Sequence, residues 1–178
     1  MGGRVTLAAL HSDPRAFSAV ILEAAGFGSA TQAEREAAAK RDAACATRLR
    51  ADGLEAFMDF WEQLPLFASQ RDLPPDVRER LRAGRMANDA EALARTFEQA
   101  GQHVMPSRAE TLETLAVLRA GGTPLLYLAG ERDEKYRVLA AQAAEAGAVM
   151  RVVPGAGHNA HLEAPAAFVQ EVSLFLGE

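Results

Sequence analysis

The chain has 178 residues, a length that suits one substantial domain or a core that carries a smaller lid. Hydrophobic residues make up 49% of the sequence and charged residues 24%, which is ordinary for a globular protein and excludes the fibrous and disordered classes. The formal net charge of −5 argues against nucleic acid as a partner, because phosphate binding requires a basic surface.

The single cysteine, Cys45, cannot form an internal disulfide, and no Cys or His spacing around it is typical of a metal site. We also find no spacing typical of an organic cofactor. No apolar run is long enough to cross a bilayer, and the start has no apolar core of a signal peptide. These features predict a cytoplasmic protein with no cofactor and no membrane insertion.

In chain order, the first predicted element is a helix over residues 4–11, which ends at the turn-forming "HSDPR". The following "FSAVILEAAGFG" is a continuous apolar run and predicts a strand that is buried on both faces. Thr31, with Glu34 in capping-box spacing, predicts the start of a long Ala-rich helix that ends at Gly53. A second helix is predicted over "LEAFMDFWEQL", before the next proline.

Three more helices are predicted, at "PPDVRERLRAGRM", "DAEALARTFEQAG" and "SRAETLETLAVLRAG". The last third then alternates between strands, "TPLLYLAG" and "AVMRVVPGAG", and helices, "EKYRVLAAQAAEAG" and "APAAFVQEVSLFLG". This βαβα order predicts a parallel sheet covered by helices. The domain organisation that we expect is a core over residues 1–30, a helical lid over 31–105 and a core over 106–178.

Two ionisable side chains directly follow the predicted strands of the last third. Asp133 lies in "LAGERDEKY" and His158 in "VVPGAGHNAHLEAP", so we expect both at the carboxyl ends of strands, where open α/β sheets place their sites. An Asp that orients a His is typical of a Ser-His-Asp triad. The alternatives are that Asp133 only caps the next helix and that His158, like His161, is a polar loop residue. Glu131 is a second candidate for the acid.

A nucleophile for such a triad is missing from the sequence. The chain order of nucleophile, acid and histidine is that of α/β-hydrolases, and the serine belongs on a turn just before "MGGRV". Ser69 and Ser107 do not lie at predicted strand-to-helix turns. Cys45 lies within the Ala-rich helix, where it is typical of a small core residue. We therefore expect the nucleophile to lie outside this sequence.

Together these motifs resemble one family, 2-succinyl-6-hydroxy-2,4-cyclohexadiene-1-carboxylate synthase, an α/β-hydrolase-fold lyase of menaquinone biosynthesis. "MGGRV" is similar to the end of that family's nucleophile turn, "VILEAAGFG" to its next strand and "PGAGHNAHLEAP" to its histidine loop. The lid segment "FWEQLPLFASQ" and the acid loop "GERDEKYR" are more specific to it. The resemblance runs through nearly the whole chain. It implies an α/β fold, namely the carboxyl-terminal part of an α/β-hydrolase, a parallel sheet flanked by helices with an inserted helical lid.

The resemblance also implies a reaction and a set of site residues. Asp133, His158 and a serine outside the sequence would remove a proton from a polycarboxylated cyclohexene intermediate, with expulsion of pyruvate and no acyl-enzyme. The backbone amide of Met1 would be an oxyanion donor. The residues implied for substrate binding are Arg4, Arg85, Trp61, Phe67 and Arg35. Without the resemblance, such arginines are typical of exposed helix surfaces, and Trp61 is typical of the core of a lid.

The sequence departs from the family at one lid position. Ala38 stands where relatives carry a carboxylate-binding arginine. Arg35, Lys40 and Arg41 are the candidates to replace it, since Arg35 and Ala38 are one helical turn apart.

The family's early strands and its serine would lie upstream of Met1, so we expect a truncated gene model, a fragment or one chain of a split protein, and we expect the 178-residue chain to be inactive alone. The expected partners are a small polycarboxylate and either an N-terminal segment or a second copy of the chain. One alternative is a carboxylester or C–C hydrolase of the same fold. Another is a non-catalytic subunit whose strand edge pairs with another chain.

Overall fold

The structure is a computed structural model that describes residues 1–177, and the chain forms two compact units. The first unit contains residues 1–28 together with the residues from 106 onward, and the second contains residues 29–105. The chain leaves the first unit at Gly28 and returns at Pro106, and these two positions touch. Gly28 has a φ of +85°, and a Cβ there would collide with the carbonyl oxygen of Pro106. Glycine is therefore required at Gly28, both for the positive φ and for the close approach of Pro106.

Helices and strands follow one another along the chain with short connections. In chain order they are α1 (Gly2–Ser12), β1 (Val20–Glu23), α2 (Gln32–Trp61), a 3-10 helix (Pro65–Asp72), α3 (Pro75–Met86), α4 (Ala90–Ala100), α5 (Arg108–Ala120), β2 (Leu125–Gly130), α6 (Glu134–Glu145), β3 (Val149–Val153), α7 (Ala160–Glu163) and α8 (Pro165–Leu176). Among residues 1–177, no helix combines the length and the apolar character that a membrane crossing requires.

The three strands of the first unit form a parallel sheet in the order β1-β2-β3. β2 is central, and all six of its residues are buried. Its side chains alternate between two apolar clusters, one of which includes α1, α5 and α6 and the other α7 and α8. A parallel sheet with helices packed on both faces confirms the predicted fold class.

The first strand is shorter than predicted. β1 has only four residues, because Ala24 adopts a φ of 42° and turns the chain out of the extended conformation. Val20 and Leu22 are buried against the first cluster, whereas Ile21 on the opposite face is 37% exposed. The prediction of a strand buried on both faces was wrong, because the cluster that includes α7 and α8 takes its strand residues from β2 and β3.

The second unit is helical, as the sequence predicted. The Thr31 hydroxyl accepts a hydrogen bond from the Glu34 N–H (3.1 Å), and the Glu34 carboxylate accepts one from the N–H of Ala30 (2.8 Å). Gly53 interrupts α2 with a φ of 80°, which confirms the predicted break. The 3-10 helix was not predicted. The description of this unit as a lid stays a prediction.

Tyr127 of β2 fixes the chain just after β1. Its buried ring meets Phe27 edge to face, with 5.4 Å between the ring centroids. Its hydroxyl donates a 2.6 Å hydrogen bond to the carbonyl oxygen of Ala25. Burial, followed by the nearby Tyr136 and Asp133, raises the pKa of this phenol, so the hydroxyl stays a donor at neutral pH.

We predict that Tyr127→Phe lowers the free energy of unfolding by about 1–3 kcal/mol, because it leaves the carbonyl oxygen of buried Ala25 without this donor. Urea denaturation followed by circular dichroism measures the change. Val138→Ala is the control, since Val138 is 56% exposed on α6 and its truncation should change stability by less than about 0.5 kcal/mol. Equal stabilities of the Tyr127→Phe and wild-type chains would contradict the prediction.

Candidate active site

Asp133 lies between β2 and α6 and uses its two carboxylate oxygens for different bonds. Oδ1 accepts a hydrogen bond from the backbone N–H of Tyr136 (3.3 Å) and so caps α6. Oδ2 lies 2.8 Å from Nδ1 of His158. Asp133, which is only 8% exposed, thus makes both the capping contact and the contact with the histidine that a triad acid would make. Its role as the acid of a triad stays a prediction.

His158 lies in the loop between β3 and α7, and its ring is held on two sides. Nδ1 faces Asp133, and the ring centroid lies 4.7 Å from that of Tyr136. Because an ionised carboxylate only accepts hydrogen bonds, Nδ1 carries the proton in this pair. Nε2 of the neutral imidazole is then the basic nitrogen. This is the tautomer that a general base of the triad type requires.

The loops that carry Asp133 and His158 are bonded to each other through their backbones. The N–H of Glu131 donates to the carbonyl oxygen of Val153 (3.0 Å), and the N–H of Arg132 donates to that of Ala156 (2.8 Å). At Gly130, a Cβ would collide with the carbonyl oxygen of Gly157. Glycine at the end of β2 therefore allows the histidine loop to approach the acid loop.

The second candidate acid, Glu131, has a different contact. Its Oε2 accepts a hydrogen bond from the backbone N–H of Gly155 (2.8 Å). Of the two candidate acids, Asp133 is thus the one that the structure brings to His158.

Sequence reasoning missed two carboxylates around the histidine loop. Glu163 of α7 accepts hydrogen bonds from the backbone N–H groups of Gly157 (2.7 Å) and Asn159 (3.1 Å). Glu23, at the end of β1, accepts from Nδ1 of His161 (2.7 Å) and from its backbone N–H (3.0 Å). The only sequence signal was a charged residue that ends an apolar strand or follows a Gly-rich loop, which is weak evidence by itself.

Met1 and Arg4 lie at the start of α1. The Met1 carbonyl oxygen accepts hydrogen bonds from the N–H groups of Arg4 (2.9 Å) and Val5 (3.3 Å). A Cβ on Gly3 would lie 2.6 Å from Cβ of Ala25, so α1 packs closely on the segment after β1. The roles of Met1 as an oxyanion donor and of Arg4 in carboxylate binding stay predictions.

In the second unit, the structure brings Arg85, Phe67 and Trp61 together. The Arg85 guanidinium donates to Oε1 of Glu62 (3.0 Å) and to Oε1 of Gln70 (2.7 Å). Its central carbon lies 5.1 Å from the centroid of the Phe67 ring, and the Trp61 ring lies 5.9 Å from that ring. Phe67 and Arg85 line a cavity of about 330 Å³ in this unit.

Trp61 and Arg35 have contacts that suit structural roles. Trp61 stacks on Phe57, with a centroid distance of 5.6 Å, within the aromatic core of the second unit. Arg35 donates to the carbonyl oxygens of His103 (2.8 Å) and Met105 (3.3 Å). Their roles in substrate binding stay predictions.

A parallel sheet with an aspartate after one strand and its histidine partner after the next is typical of the α/β-hydrolase class. The model of the alpha/beta hydrolase family matches residues 1–171, and the chain belongs to this family.

Individual relatives within this broad family share one more specific name. A Serratia proteamaculans (strain 568) protein named 2-succinyl-6-hydroxy-2,4-cyclohexadiene-1-carboxylate synthase is 36% identical over 177 residues, which cover 99% of this chain and 65% of the relative. The Citrobacter koseri synthase of the same name is 36% identical over 176 residues, with the same two coverages. The structure of MenH from S. aureus matches with a TM-score of 0.90 and 29% identity, over 98% of this chain and 64% of that one. The resemblance to these synthases is confirmed, and the chain spans less than two thirds of each relative.

A thermophilic esterase from Thermogutta terrifontis also matches, with a TM-score of 0.76 and 22% identity over 99% of this chain and 61% of that one. This likeness shows the shared fold alone.

We predict that Gly130→Ala lowers the free energy of unfolding by at least about 2 kcal/mol, because its Cβ would push against the carbonyl oxygens of Ala156 and Gly157. Gly84→Ala is the matched control, since Gly84 lies in the last turn of α3 and a Cβ there meets nothing within 4 Å. That change should stabilise the chain by about 0.5–1 kcal/mol. Urea denaturation of both variants tests the difference, and effects of the same sign would refute it.

Proposed function

We propose that this chain supplies the acid and the histidine of a 2-succinyl-6-hydroxy-2,4-cyclohexadiene-1-carboxylate synthase, a lyase that releases pyruvate from a polycarboxylated cyclohexene intermediate in menaquinone biosynthesis. The observation that carries the proposal is the 2.8 Å contact between Asp133 and His158, in a chain 36% identical to proteins with this name. The serine of the triad comes from residues outside this sequence.

In the proposed reaction, His158 acts as the general base. Its Nε2 takes a proton from the substrate carbon, relayed by the serine, while Nδ1–H stays bound to Asp133. The carboxylate of Asp133 stabilises the imidazolium that forms. The electron pair of the broken C–H bond becomes part of a new carbon–carbon double bond, and the C–O bond to the enolpyruvyl group breaks, so that this group leaves as the enolate of pyruvate. The enolate takes up a proton from His158, directly or through water, which gives pyruvate and restores the neutral imidazole.

Cationic residues support a lyase with a carboxylated substrate over an ester hydrolase. Arg4 lies in the first turn of α1, beside the expected position of the nucleophile, where an acyl-transfer site has no evident need for a cation. In the second unit, bonds to Glu62 and Gln70 orient the guanidinium of Arg85 before any ligand binds. A planar guanidinium held in this way suits a carboxylate that binds through both oxygens.

We predict that the purified 178-residue chain releases no pyruvate from this substrate, because the proposed serine is outside it. The protein as its native host produces it, with a larger intact mass, should release pyruvate. In that protein His158→Ala or Asp133→Asn should lower kcat by about 10²–10⁴-fold, the usual contribution of a general base. A coupled pyruvate assay and intact-mass spectrometry make these measurements.

Two results would contradict this proposal. One is pyruvate release by the 178-residue chain alone. The other is a host protein that hydrolyses simple carboxylesters with a higher kcat/KM than it shows for pyruvate release, which would favour the hydrolase alternative. A stable complex of the chain with another protein, without either activity, would favour the non-catalytic subunit.

In the host protein, Arg4→Gln should raise KM for the carboxylated substrate at least about tenfold, because a charge-assisted hydrogen bond to a carboxylate contributes about 1.5–3 kcal/mol. Its hydrolysis of a neutral ester, where present, should not change. Arg15→Gln is the control, since Arg15 is an exposed arginine of the same unit. If the KM of Arg4→Gln equals that of Arg15→Gln, Arg4 does not bind the carboxylated substrate.

A further inference from the structure

Backbone N–H groups at alternate positions of the histidine loop bond to carboxylates. The N–H of Gly155 donates to Glu131, and those of Gly157 and Asn159 donate to the two oxygens of Glu163. Glu163 therefore binds the residue before His158 and the residue after it. The distances of 2.7 Å and 3.1 Å are in the range of charge-assisted hydrogen bonds.

The carboxylate is itself held in place by α7. The N–H of Glu163 donates a 2.9 Å bond to the carbonyl oxygen of Asn159, so its backbone is tied to the same loop that its side chain binds. The loop, α7 and the Glu163 side chain thus form a closed ring of bonds around His158. Such bonds on both sides of His158 restrict its backbone, which is how a supporting residue fixes the direction of a functional side chain before a substrate binds.

We propose that Glu163 is a positioning residue that directs Nδ1 of His158 toward Asp133 and so sets the tautomer with a basic Nε2. This inference rests on the role of general base proposed for His158. It adds Glu163 as the residue that orients the imidazole for that role. A glutamate that only stabilised α7 would affect unfolding but not the protonation pattern of the imidazole. The two roles therefore differ in a measurable property of His158.

The test is the ring nitrogen spectrum of His158 in the 178-residue chain, measured by ¹⁵N NMR at a pH where the imidazole is neutral. Asp133→Asn identifies the His158 signals among the four histidines of the sequence. The wild-type chain should show the proton on Nδ1. In Glu163→Gln, a mixture of tautomers should appear, and the Nδ1 proton should exchange with water about tenfold faster, the effect of losing roughly one hydrogen bond.

Glu171→Gln is the matched control, because it removes the same charge from the same unit, where Glu171 pairs with Arg151 at 3.4 Å. It should leave the His158 spectrum unchanged. Glu163→Asp should show more of the wild-type tautomer than Glu163→Gln, since it keeps a charged acceptor beside the same N–H groups.

Three outcomes would overturn the proposal. The first is a wild-type chain without the proton on Nδ1, and the second is a Glu163→Gln spectrum identical to wild type. The third is failure of both Glu163 variants to fold while Glu171→Gln folds, since Glu163 would then serve stability alone. The measurement needs no substrate, so its result is independent of whether the host protein releases pyruvate.

Discussion

The site depends on one close backbone approach, between the end of β2 and the loop that follows β3. β2 is buried along its whole length, so its carboxyl end has a fixed position. Gly130 has no side chain to hold the next loop away, and carbonyl oxygens of that loop lie where its Cβ would be. The hydrogen bond from Arg132 to Ala156 then sets the separation of the two loops. The contact between Asp133 and His158 follows from this separation, because each side chain lies within a few residues of the bonded backbones.

Three carboxylates near this approach have the same charge and three different partners. Asp133 binds the imidazole and caps α6, Glu131 binds Gly155, and Glu163 binds the backbone on either side of His158. Backbone N–H groups of a glycine-rich loop have no strand or helix to satisfy them, and an unpaired donor is unfavourable where it is buried, as at Gly157. The carboxylates of Glu131 and Glu163 accept hydrogen bonds from these N–H groups. The loop that carries His158 can therefore have its backbone donors bonded without forming a strand or a helix. The acidic character of "GERDEK" is thus partly explained by the loop that it faces.

The sequence predicted those features that depend on local chemistry or on a strong periodic pattern. The order of strands and helices, the cap at Thr31, the break at Gly53 and the positions of Asp133 and His158 after strands all belong to this group. The end of β1 was not predictable, because the left-handed backbone of Ala24 depends on the bonding of the chain around it, which an apolar run does not reveal. Glu163 and Glu23 were missed for a related reason: Glu163 binds backbone N–H groups and Glu23 binds the backbone and the imidazole of His161, and only the folded chain brings these partners near. The more specific assignment to a synthase came from the resemblance, which periodicity could not supply.

The second unit shows why an overall negative charge does not exclude an anionic ligand. The whole chain has a net charge of −5, yet the charged residues around the cavity in this unit are mainly arginines. They are Arg71, Arg78, Arg82 and Arg85, with Glu62 and Glu79 as the acids. Glu62 pairs with both Arg82 and Arg85, and Asp59 is a second partner of Arg82, while the cavity itself is lined by four arginines and two glutamates. A ligand carboxylate at Arg85 would add to this cluster without having to displace Glu62, since a guanidinium has five N–H donors. The local excess of positive charge therefore favours a carboxylated ligand, while the charge of the remaining surface keeps the chain unsuited to nucleic acid.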